Sequence, residues 1–489
     1  MSPEDTGSQS RRGLGFPVGR IVIAPARISA FHALRALASG RSDLPAALAR
    51  TRTQLSDERD RSLAAEIVSG TVRWQRSLDH VVSAFARRPL NTLDADVLTI
   101  LRLSVYQLLH LDRVPASAVV DDAVDLTRAA RKLSAAGFVN AILRALLRQK
   151  NRLPLPPRPV DPEPFAGDNE SLEDAARTFM GGNNRDAAVA YLGITHSHPD
   201  WLVQRWLDRY GFDATERWVR FNNDTPRLTI RTNRLRGGRE RLAQSLAREG
   251  IETEPTSYAP DGLTILAGNP LRLPPDGSFF VQDEASQLVP LVVGARKDER
   301  ILDLCASPGG KTTAMAADMY DSGAVVSCDV REKRLALLRH TVEASGARHV
   351  HIVHVGSTGP LPFTRAFDRV LVDAPCSGLG TLRRDPDIKW RRTETELPTL
   401  AHHQVALLER AAVVLKPGGR LVYATCSSEP EENEQVVTAF LARHPELRLI
   451  DLRSELSPHL HPLLDDRGML RTLPFAHGLE AFFAAALTG

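Results

Sequence analysis

Cysteine is scarce in this chain. Its 489 residues contain four, which are Cys305, Cys328, Cys376 and Cys426. So low a density in so long a chain excludes a disulfide-stapled scaffold. All four lie between positions 305 and 426, and we expect free thiols in a reducing cytoplasm.

Long apolar runs are also lacking. No segment approaches the roughly 18 apolar residues that a membrane-spanning helix needs. The apolar patch over residues 16–24 is short, is interrupted by Arg20 and follows a polar stretch, unlike a secretory signal. His402 and His403 are adjacent, but no second cluster of ligands accompanies them, so we predict no metal site. We expect a cytoplasmic monomer without a membrane partner.

Charge is distributed unevenly. Residues 1–152 contain 23 Lys/Arg against 14 Asp/Glu, a net charge of +9, which leaves −6 for the rest of a chain whose total is +3. A basic domain is typical of proteins that bind a polyanion such as nucleic acid. An arginine-rich solvated surface would give the same charge, so charge alone leaves both interpretations open.

Periodicity and proline content divide the first part of the chain into three segments. Residues 1–24 are expected to form a flexible tail. From residue 25 to 152, apolar residues recur at helical spacing, which predicts an all-helical domain. Six prolines between Leu153 and Phe165, followed by a Gly/Asn-rich stretch, predict a linker over residues 153–190, because dense proline prevents regular helix.

Two further segments complete the predicted organisation. Residues 191–282 predict a small α+β module, with Asp200 as the N-cap of a helix. From residue 283 to 489, short apolar runs alternate with helical patterns, which predicts a parallel, doubly wound, Rossmann-like sheet. The strands expected in these two segments cover residues 227–233, 263–265, 279–281, 300–304, 324–328, 350–353, 369–372 and 420–424.

A glycine-containing loop follows the first strand of the predicted parallel sheet. It reads Asp303-Leu304-Cys305-Ala306-Ser307-Pro308-Gly309-Gly310-Lys311. Its glycines allow a ligand to approach the backbone, and a helix start follows. Asp329 ends the next strand, where an acid can accept hydrogen bonds from a ribose. This pattern favours a nucleoside cofactor, with S-adenosylmethionine as the best candidate.

A phosphate-binding loop of the Walker type is the competing interpretation, since Gly310-Lys311-Thr312 matches its second half. That loop requires a first glycine where this chain has Cys305, and Pro308 lies inside the turn. The glycine spacing also differs from that of a NAD-binding fingerprint. Both alternatives are therefore disfavoured.

Cysteine loops follow two other predicted strands. One loop reads Asp373-Ala374-Pro375-Cys376-Ser377, and the other reads Tyr423-Ala424-Thr425-Cys426-Ser427. The carboxyl ends of parallel strands face the crevice in which such sheets bind ligands. We therefore expect both thiols to take part in covalent chemistry, whereas Cys328, in the middle of a strand, is expected to be a core residue.

These three motifs, in this order, resemble the Nop/Sun family of RNA cytosine carbon-5 methyltransferases. The resemblance extends from about residue 195 to the C-terminus and includes Val281-Gln282-Asp283-Glu284-Ala285-Ser286, Arg384-Asp385-Pro386-Asp387-Ile388-Lys389-Trp390 and Pro430-Glu431-Glu432-Asn433. The helical domain resembles NusB, an RNA-binding fold, through Val114-Pro115, Asp121-Asp122-Ala123-Val124 and Gly137-Phe138-Val139-Asn140-Ala141-Ile142-Leu143-Arg144. A NusB-like domain joined to this methyltransferase implies small-subunit ribosomal RNA as the substrate.

The resemblance also implies roles for individual residues. Cys426 would attack carbon-6 of a cytosine that has left its stack, and Cys376 would assist release of the methylated product. Asp373 would hydrogen-bond the base edge or the cofactor. The residues implied in holding S-adenosylmethionine are Cys305, Ala306, Ser307, Pro308, Gly309, Gly310, Lys311, Asp329, Arg334 and Asp373.

The chain departs from the family pattern at two places. Gly356-Ser357 stands where the family has Gly-Asp, so we do not assign that cofactor contact to Ser357. Glu480-Ala481-Phe482-Phe483 stands where the family has Asp-Gly-Phe-Phe. Two alternatives also remain open, namely the same reaction on transfer RNA or large-subunit RNA, and a non-catalytic RNA-binding assembly factor. The retained Cys376 and Cys426 disfavour the assembly factor.

Overall fold

The computed structural model describes residues 23–159 and 182–489. The chain divides into two compact units, Met1–Arg158 and Pro159–Gly489. Nearly all of the predicted tail over residues 1–24, and much of the predicted linker over residues 153–190, lie outside the described residues.

The described part of the first unit is all-helical, as predicted. The apolar periodicity of the sequence forms α5, whose Val97, Leu101 and Val105 are buried among the other helices. Arg27 is buried too, and its guanidinium donates to Asp122 at 2.6 Å and to Gln107 at 2.7 Å. The helices are α1 (Pro25–Ala38), α2 (Leu44–Gln54), α3 (Glu58–Arg73), α4 (Gln75–Ala86), α5 (Ala95–His110), α6 (Ala116–Ala129) and α7 (Ala136–Arg148).

The end of the predicted linker is helical instead. Helix α8 covers Gly182–Ala190, because the alanines that follow the Gly/Asn-rich stretch favour helix and Ala188 packs into a core. A π-helical turn, Tyr191–Thr195, and helix α9, Asp200–Asn223, continue this core. Asp200 is the first residue of α9 and Pro199 its cap, so the predicted N-cap role of Asp200 is wrong.

The small module contains a four-stranded antiparallel sheet. Its strands are β1 (Thr229–Thr232), β2 (Glu252–Pro255), β3 (Gly262–Ala267) and β4 (Phe279–Val281), in the order β2-β3-β1-β4. Helix α10, Arg239–Arg248, covers one face with Leu242 and Leu246, which pack against Ile230 and Leu263. The strands predicted from alternation are thus present, together with β2, which the prediction lacked.

A mixed eight-stranded sheet forms the centre of the second unit. Seven strands lie in the order β10-β12-β9-β8-β5-β6-β7, and β11 pairs with β12. The five predicted strands are present and parallel to one another. The strands are β5 (Arg300–Asp303), β6 (Ala324–Asp329), β7 (Val350–His354), β8 (Phe367–Asp373), β9 (Leu415–Thr425), β10 (Arg448–Leu449), β11 (Leu470–Arg471) and β12 (Phe483–Thr488).

One edge of this sheet was not predicted. Strands β10, β11 and β12 are antiparallel to their neighbours, so the sheet is mixed and not purely parallel. Two of these strands have only two residues, and β12 consists largely of alanine, which has low strand propensity. Pairing with β9 and complete burial of Ala484, Ala485 and Ala486 override that propensity.

Helices cover both faces of the sheet. They are α11 (Glu284–Val293), α12 (Gly310–Asp318), α13 (Glu332–Ser345), α15 (Leu397–Val414) and α16 (Glu434–Leu441), whereas the short helices α14 (Ile388–Arg391) and α17 (Pro474–His477) pack with α9. None of the helices within the described ranges is long and apolar enough to cross a membrane.

The core of α8 and α9 contributes strongly to the stability of the second unit. Trp206 is fully buried and stacks on Trp218 with ring centroids 4.4 Å apart. We expect Trp206→Ala to lower the free energy of unfolding of this unit by about 3–5 kcal/mol, because truncation leaves a large cavity. Chemical denaturation followed by circular dichroism measures the change. Val413→Ala, at a position that is 70% exposed, is the control and should change it by less than about 0.5 kcal/mol.

Candidate active site

The predicted site residues gather at the carboxyl ends of four parallel strands. Strands β5, β6 and β8 end in aspartates, Asp303, Asp329 and Asp373, and β9 ends at Thr425, one residue before Cys426. Because parallel strands end at the same edge of a sheet, their loops meet there. The geometry thus brings together the glycine-containing segment over residues 303–311, named the cofactor loop from here on, and both cysteine loops.

The loop between β5 and α12 makes a tight turn at Gly309. Its φ is +107°, and a Cβ atom there would lie 2.9 Å from Cδ1 of Leu338, so only glycine fits. Gly310 then begins α12, whose first backbone N–H groups have no partner within the helix and no side-chain cap at Gly309. Cys305 and Ser307 are partly buried in this loop, and burial raises the pKa of the Cys305 thiol, which disfavours a reactive thiolate.

The acid at the end of β6 lies beside this loop. Asp329 is 4% exposed; its Oδ1 accepts a hydrogen bond from the Arg331 N–H at 3.0 Å. The half-exposed Arg334 guanidinium lies 3.9 Å from Asp329, and Ser307 Oγ donates to the Arg334 carbonyl at 3.1 Å. Asp329 and Arg334 therefore lie beside the loop, as predicted.

Asp303 is a site residue that the sequence analysis did not single out. Its Oδ2 accepts from Thr312 Oγ1 at 2.7 Å, while its buried Oδ1 has no hydrogen-bond partner within the described residues. Burial raises the pKa of Asp303 to about 7, and the charge of Asp373 adds to the effect. Asp303 is the first residue of the motif that ends at Lys311, and this position is the sequence feature that could have identified it as a site residue.

These residues fit S-adenosylmethionine. The cofactor carries a cationic sulfonium and ammonium, and the negative charges of Asp303, Asp329 and Asp373 act on this one region. The unpartnered Oδ1 of Asp303 is an acceptor that a buried donor could use. Gly309 supplies the left-handed turn that leads from β5 into α12.

Lys311 connects the cofactor loop with the cysteine loops. Its Nζ donates to Asp373 Oδ2 at 2.7 Å and lies 5.8 Å from the ring centroid of Phe482. Burial lowers the pKa of Lys311, but the charge and hydrogen bond of Asp373 outweigh it and raise the pKa overall, with Cys426 contributing in the same direction. Lys311 is thus a cation close to the Cys426 sulfur.

The two cysteine loops meet. The Sγ atoms of Cys376 and Cys426 lie 3.3 Å apart, and both side chains are partly exposed. The hydrogen bond to Cys426, burial and the charges of Cys426 and Glu432 together hold the pKa of Cys376 well above its usual value. Cys328, by contrast, is fully buried in the core, as expected.

A third loop joins this pair, and sequence reasoning missed its role. The N–H of Gly380 donates to the Cys426 carbonyl at 2.9 Å, and the N–H of Ala481 donates to the Gly380 carbonyl at 3.0 Å. Phe482 and Glu480 therefore flank the site. Burial raises the pKa of Glu480 to about 7, and Arg383 donates to it at 3.0 Å.

A buried polar cluster lies beneath the cysteine loops. The Glu432 carboxylate is fully buried and accepts from Ser377 and Ser427, the residues that follow the two cysteines. Its motif was quoted for the family resemblance, but nothing in one sequence shows that it reaches both loops. On the outer side, Arg205 of α9 contacts Glu429 at 2.7 Å and Glu431 at 2.7 Å.

The other residues considered in the sequence are Ser357, His402 and His403. Ser357 is exposed in a loop whose carbonyls accept from the Arg410 guanidinium, including the Ser357 carbonyl at 3.3 Å. His402 and His403 belong to α15. Across residues 23–159 and 182–489, no group of three or more His, Cys, Asp or Glu side chains could hold a metal ion.

Comparison with known families covers most of the chain. The 16S rRNA methyltransferase RsmB/F family matches residues 290–488, the NusB family matches residues 24–148, and the RsmF/B-like ferredoxin-like domain matches residues 198–272. These three matches confirm the predicted fold class.

Similar proteins and structures extend over nearly the whole length. A probable ribosomal RNA small subunit methyltransferase B of Bacillus subtilis is 32% identical over 439 residues, covering 89% of this chain and 91% of the relative. That of Synechocystis is 35% identical over 438 residues, with 88% and 91% covered. The crystal structure of PH0851 is 26% identical with a TM-score of 0.74, covering 96% of this chain and 99% of its own.

A methyltransferase homologue from Pyrococcus horikoshii is 27% identical with a TM-score of 0.53, covering 61% of this chain and 98% of its own. The predicted cofactor, S-adenosylmethionine, is confirmed by the match to a methyltransferase family that depends on it. With relatives above 30% identity over almost nine-tenths of its length, the chain belongs to the RsmB/F family of S-adenosylmethionine-dependent methyltransferases.

Proposed function

We propose that the protein methylates carbon-5 of one cytosine in 16S ribosomal RNA through a covalent bond between Cys426 and the base. The observation that carries this proposal is the pair of thiols, 3.3 Å apart, at the strand edge that also holds the cofactor loop. Carbon-5 of cytosine is a poor nucleophile, so a methyl transfer there needs a nucleophile that activates the ring.

The substrate part of the proposal rests on the relatives and on charge. The similar proteins of Bacillus subtilis and Synechocystis are named as small-subunit ribosomal RNA methyltransferases. The NusB-like region belongs to the basic part of the chain, whose net charge of +9 over residues 1–152 suits a polyanion. Transfer RNA and large-subunit RNA are the alternative substrates.

The chemistry follows from the cysteine pair. The Cys426 thiolate forms a bond to carbon-6, and the displaced ring electrons make carbon-5 nucleophilic. S-adenosylmethionine supplies an electrophilic methyl group, which carbon-5 accepts. A base then removes the proton from carbon-5; that electron pair restores the ring double bond, the carbon–sulfur bond breaks, and Cys426 leaves as a thiolate.

Neighbouring residues support these steps. Lys311 is a cation beside Cys426 and would favour the attacking thiolate. Asp373, bonded to Lys311 at 2.7 Å, would orient it and accept from the base edge. Cys376 would donate its S–H hydrogen bond to the departing Cys426 sulfur. Asp303, Asp329 and the 305–311 loop would hold the cofactor, with Arg334 near the adenosine.

Replacing the attacking thiol should abolish the reaction. We expect Cys426→Ser to lower methyl transfer from labelled cofactor to 16S ribosomal RNA by about 10³-fold or more, because a serine hydroxyl stays protonated at neutral pH. Bisulfite sequencing of RNA from cells that carry either form should find one protected cytosine with the wild type alone.

The control for Cys426→Ser is Cys328→Ala, which removes a core cysteine of the same sheet and should leave the protected cytosine in place. Methyl transfer by Cys426→Ser at the wild-type rate would contradict the mechanism. A protected cytosine in transfer RNA or large-subunit RNA would reassign the substrate, and no protected base in any RNA would favour the assembly factor.

Removing the second thiol should trap the intermediate. We expect Cys376→Ala to accumulate a covalent protein–RNA adduct, since Cys426 can still attack but loses the hydrogen bond that stabilises its departure. Denaturing electrophoresis with labelled RNA detects the adduct. The double variant Cys376→Ala/Cys426→Ser should form none; an adduct in the double variant, or none in the single one, would remove these roles.

The acid at the end of β6 should contribute to cofactor affinity. We expect Asp329→Asn to weaken S-adenosylmethionine binding by about 10-fold, because a charged acceptor makes a stronger hydrogen bond than an amide. Isothermal titration calorimetry without RNA measures this change directly. Asp466→Asn, at an exposed turn, is the matched control, and equal affinities of the two variants would exclude a contact at Asp329.

A further inference from the structure

The Glu432 carboxylate is buried between the two cysteine loops and contacts both of them. Each of its oxygens accepts two hydrogen bonds. Oε1 accepts from the Ser377 N–H at 2.8 Å and from Gln404 Nε2 at 3.0 Å. Oε2 accepts from the hydroxyls of Ser377 and Ser427, both at 2.5 Å. All of these donors are buried and neutral.

Glu432 is connected to each cysteine through the serine that follows it in the chain. Ser377 follows Cys376 and Ser427 follows Cys426, so a single carboxylate fixes both loops immediately after their thiols. The two serine hydroxyls are themselves 3.2 Å apart. Tyr423 also donates to the Glu432 carbonyl at 2.5 Å, which anchors the backbone of Glu432 to strand β9.

The charge of Glu432 has no cationic partner. Within the described residues, no Lys, Arg or His lies at ion-pair distance from it, whereas the neighbouring Glu429, Glu431 and Glu434 all pair with arginine. A buried charge held by neutral donors alone is costly, and a glutamine of the same shape would avoid that cost. This charge therefore needs a reason beyond packing.

The titratable groups around the thiols give a reason for the charge of Glu432. Those facing Cys376 are Cys426, Glu432 and Tyr423. The negative charge of Glu432 adds to the hydrogen bond with Cys426 and to burial in raising the pKa of Cys376. Cys426, on the other side, acts on the cation Lys311. The negative charge of Glu432 thus acts on Cys376, whereas Cys426 interacts with the positive charge of Lys311.

We propose that Glu432 is a positioning residue that sets the spacing of the two thiols and gives them unlike roles, with Cys426 as the one that attacks. This inference rests on the proposed function, in which the two cysteines share one reaction. Glu432 touches neither substrate nor cofactor; it acts through Ser377, Ser427 and its charge.

The test is Glu432→Gln, which keeps the size of the side chain. Its amide oxygen can accept from Ser377 N–H and Gln404, and its amide nitrogen can donate to the two serine hydroxyls. We expect kcat to fall by about 10²-fold, because both serine hydroxyls must change from donors to acceptors, which shifts the cysteine loops, and a small displacement of the reacting groups has that effect. KM for RNA and for cofactor should change by less than about twofold, since neither contacts Glu432.

A second readout needs neither RNA nor methyl transfer. Iodoacetamide alkylation of each cysteine, followed over pH by mass spectrometry, reports thiolate formation. Loss of the negative charge lowers the pKa of Cys376, so its alkylation should begin at lower pH in Glu432→Gln than in the wild type. Because this shift is measured without substrate, it stands even where bisulfite sequencing rejects the proposed reaction.

Two variants separate positioning from charge and from general damage. Ser427→Ala removes one hydrogen bond and keeps the charge, so it should lower kcat without shifting the alkylation profile of Cys376. Glu434→Gln removes a nearby carboxylate that pairs with Arg471 at 2.6 Å, and it should leave both readouts unchanged. An unshifted profile in folded Glu432→Gln overturns the inference, as does an unfolded Glu432→Gln together with wild-type kcat in Ser427→Ala.

Discussion

Parallel pairing of β8 with β9 brings two segments that are fifty residues apart to the same edge of the sheet. Val372 pairs with Tyr423 and Asp373 with Ala424, and each chain leaves its strand into a cysteine loop within the next two residues. The other neighbour of β8 is β5, whose loop is the cofactor loop. The strand order β9-β8-β5 therefore places the two cysteine loops and the cofactor loop side by side, and a different order would separate them.

Burial determines how the charges at this edge act. In a low-dielectric interior a single charge shifts its neighbours strongly, and an unpaired charge is costly. The Lys311–Asp373 pair, 2.7 Å long, joins the start of α12 to the end of β8, while Glu432 accepts from Ser377 and has no cation at ion-pair distance in the part of the chain that the structure describes. Two chemically identical thiols 3.3 Å apart thus have different electrostatic surroundings. The division of labour proposed for them draws on this difference, which the sequence motifs alone do not contain.

Much of this arrangement is predictable from sequence because it is local. Apolar runs indicated β5 to β9, and the residues after them indicated where Cys376, Cys426 and Asp329 would lie. Strand β12 was not predicted because alanine favours helix, and the segment is a strand only through its pairing with β9. Helix α8 escaped because glycine and asparagine precede its alanines. Glu432 and Ala481 act on the site through contacts with residues distant in sequence, Ser377 and Gly380, and no local pattern reports such contacts.

The small module is built into the catalytic unit through buried polar contacts on two sides. From β1, Arg231 is 3% exposed and donates to the Gly310 carbonyl at 3.0 Å and to Thr313 at 2.8 Å, at the start of α12. From α9, Arg205 contacts Glu429 and Glu431, just beyond Cys426. These hydrogen bonds join the module to the start of α12 and to the segment beyond Cys426, so the module has a fixed position relative to both the cofactor loop and the thiol.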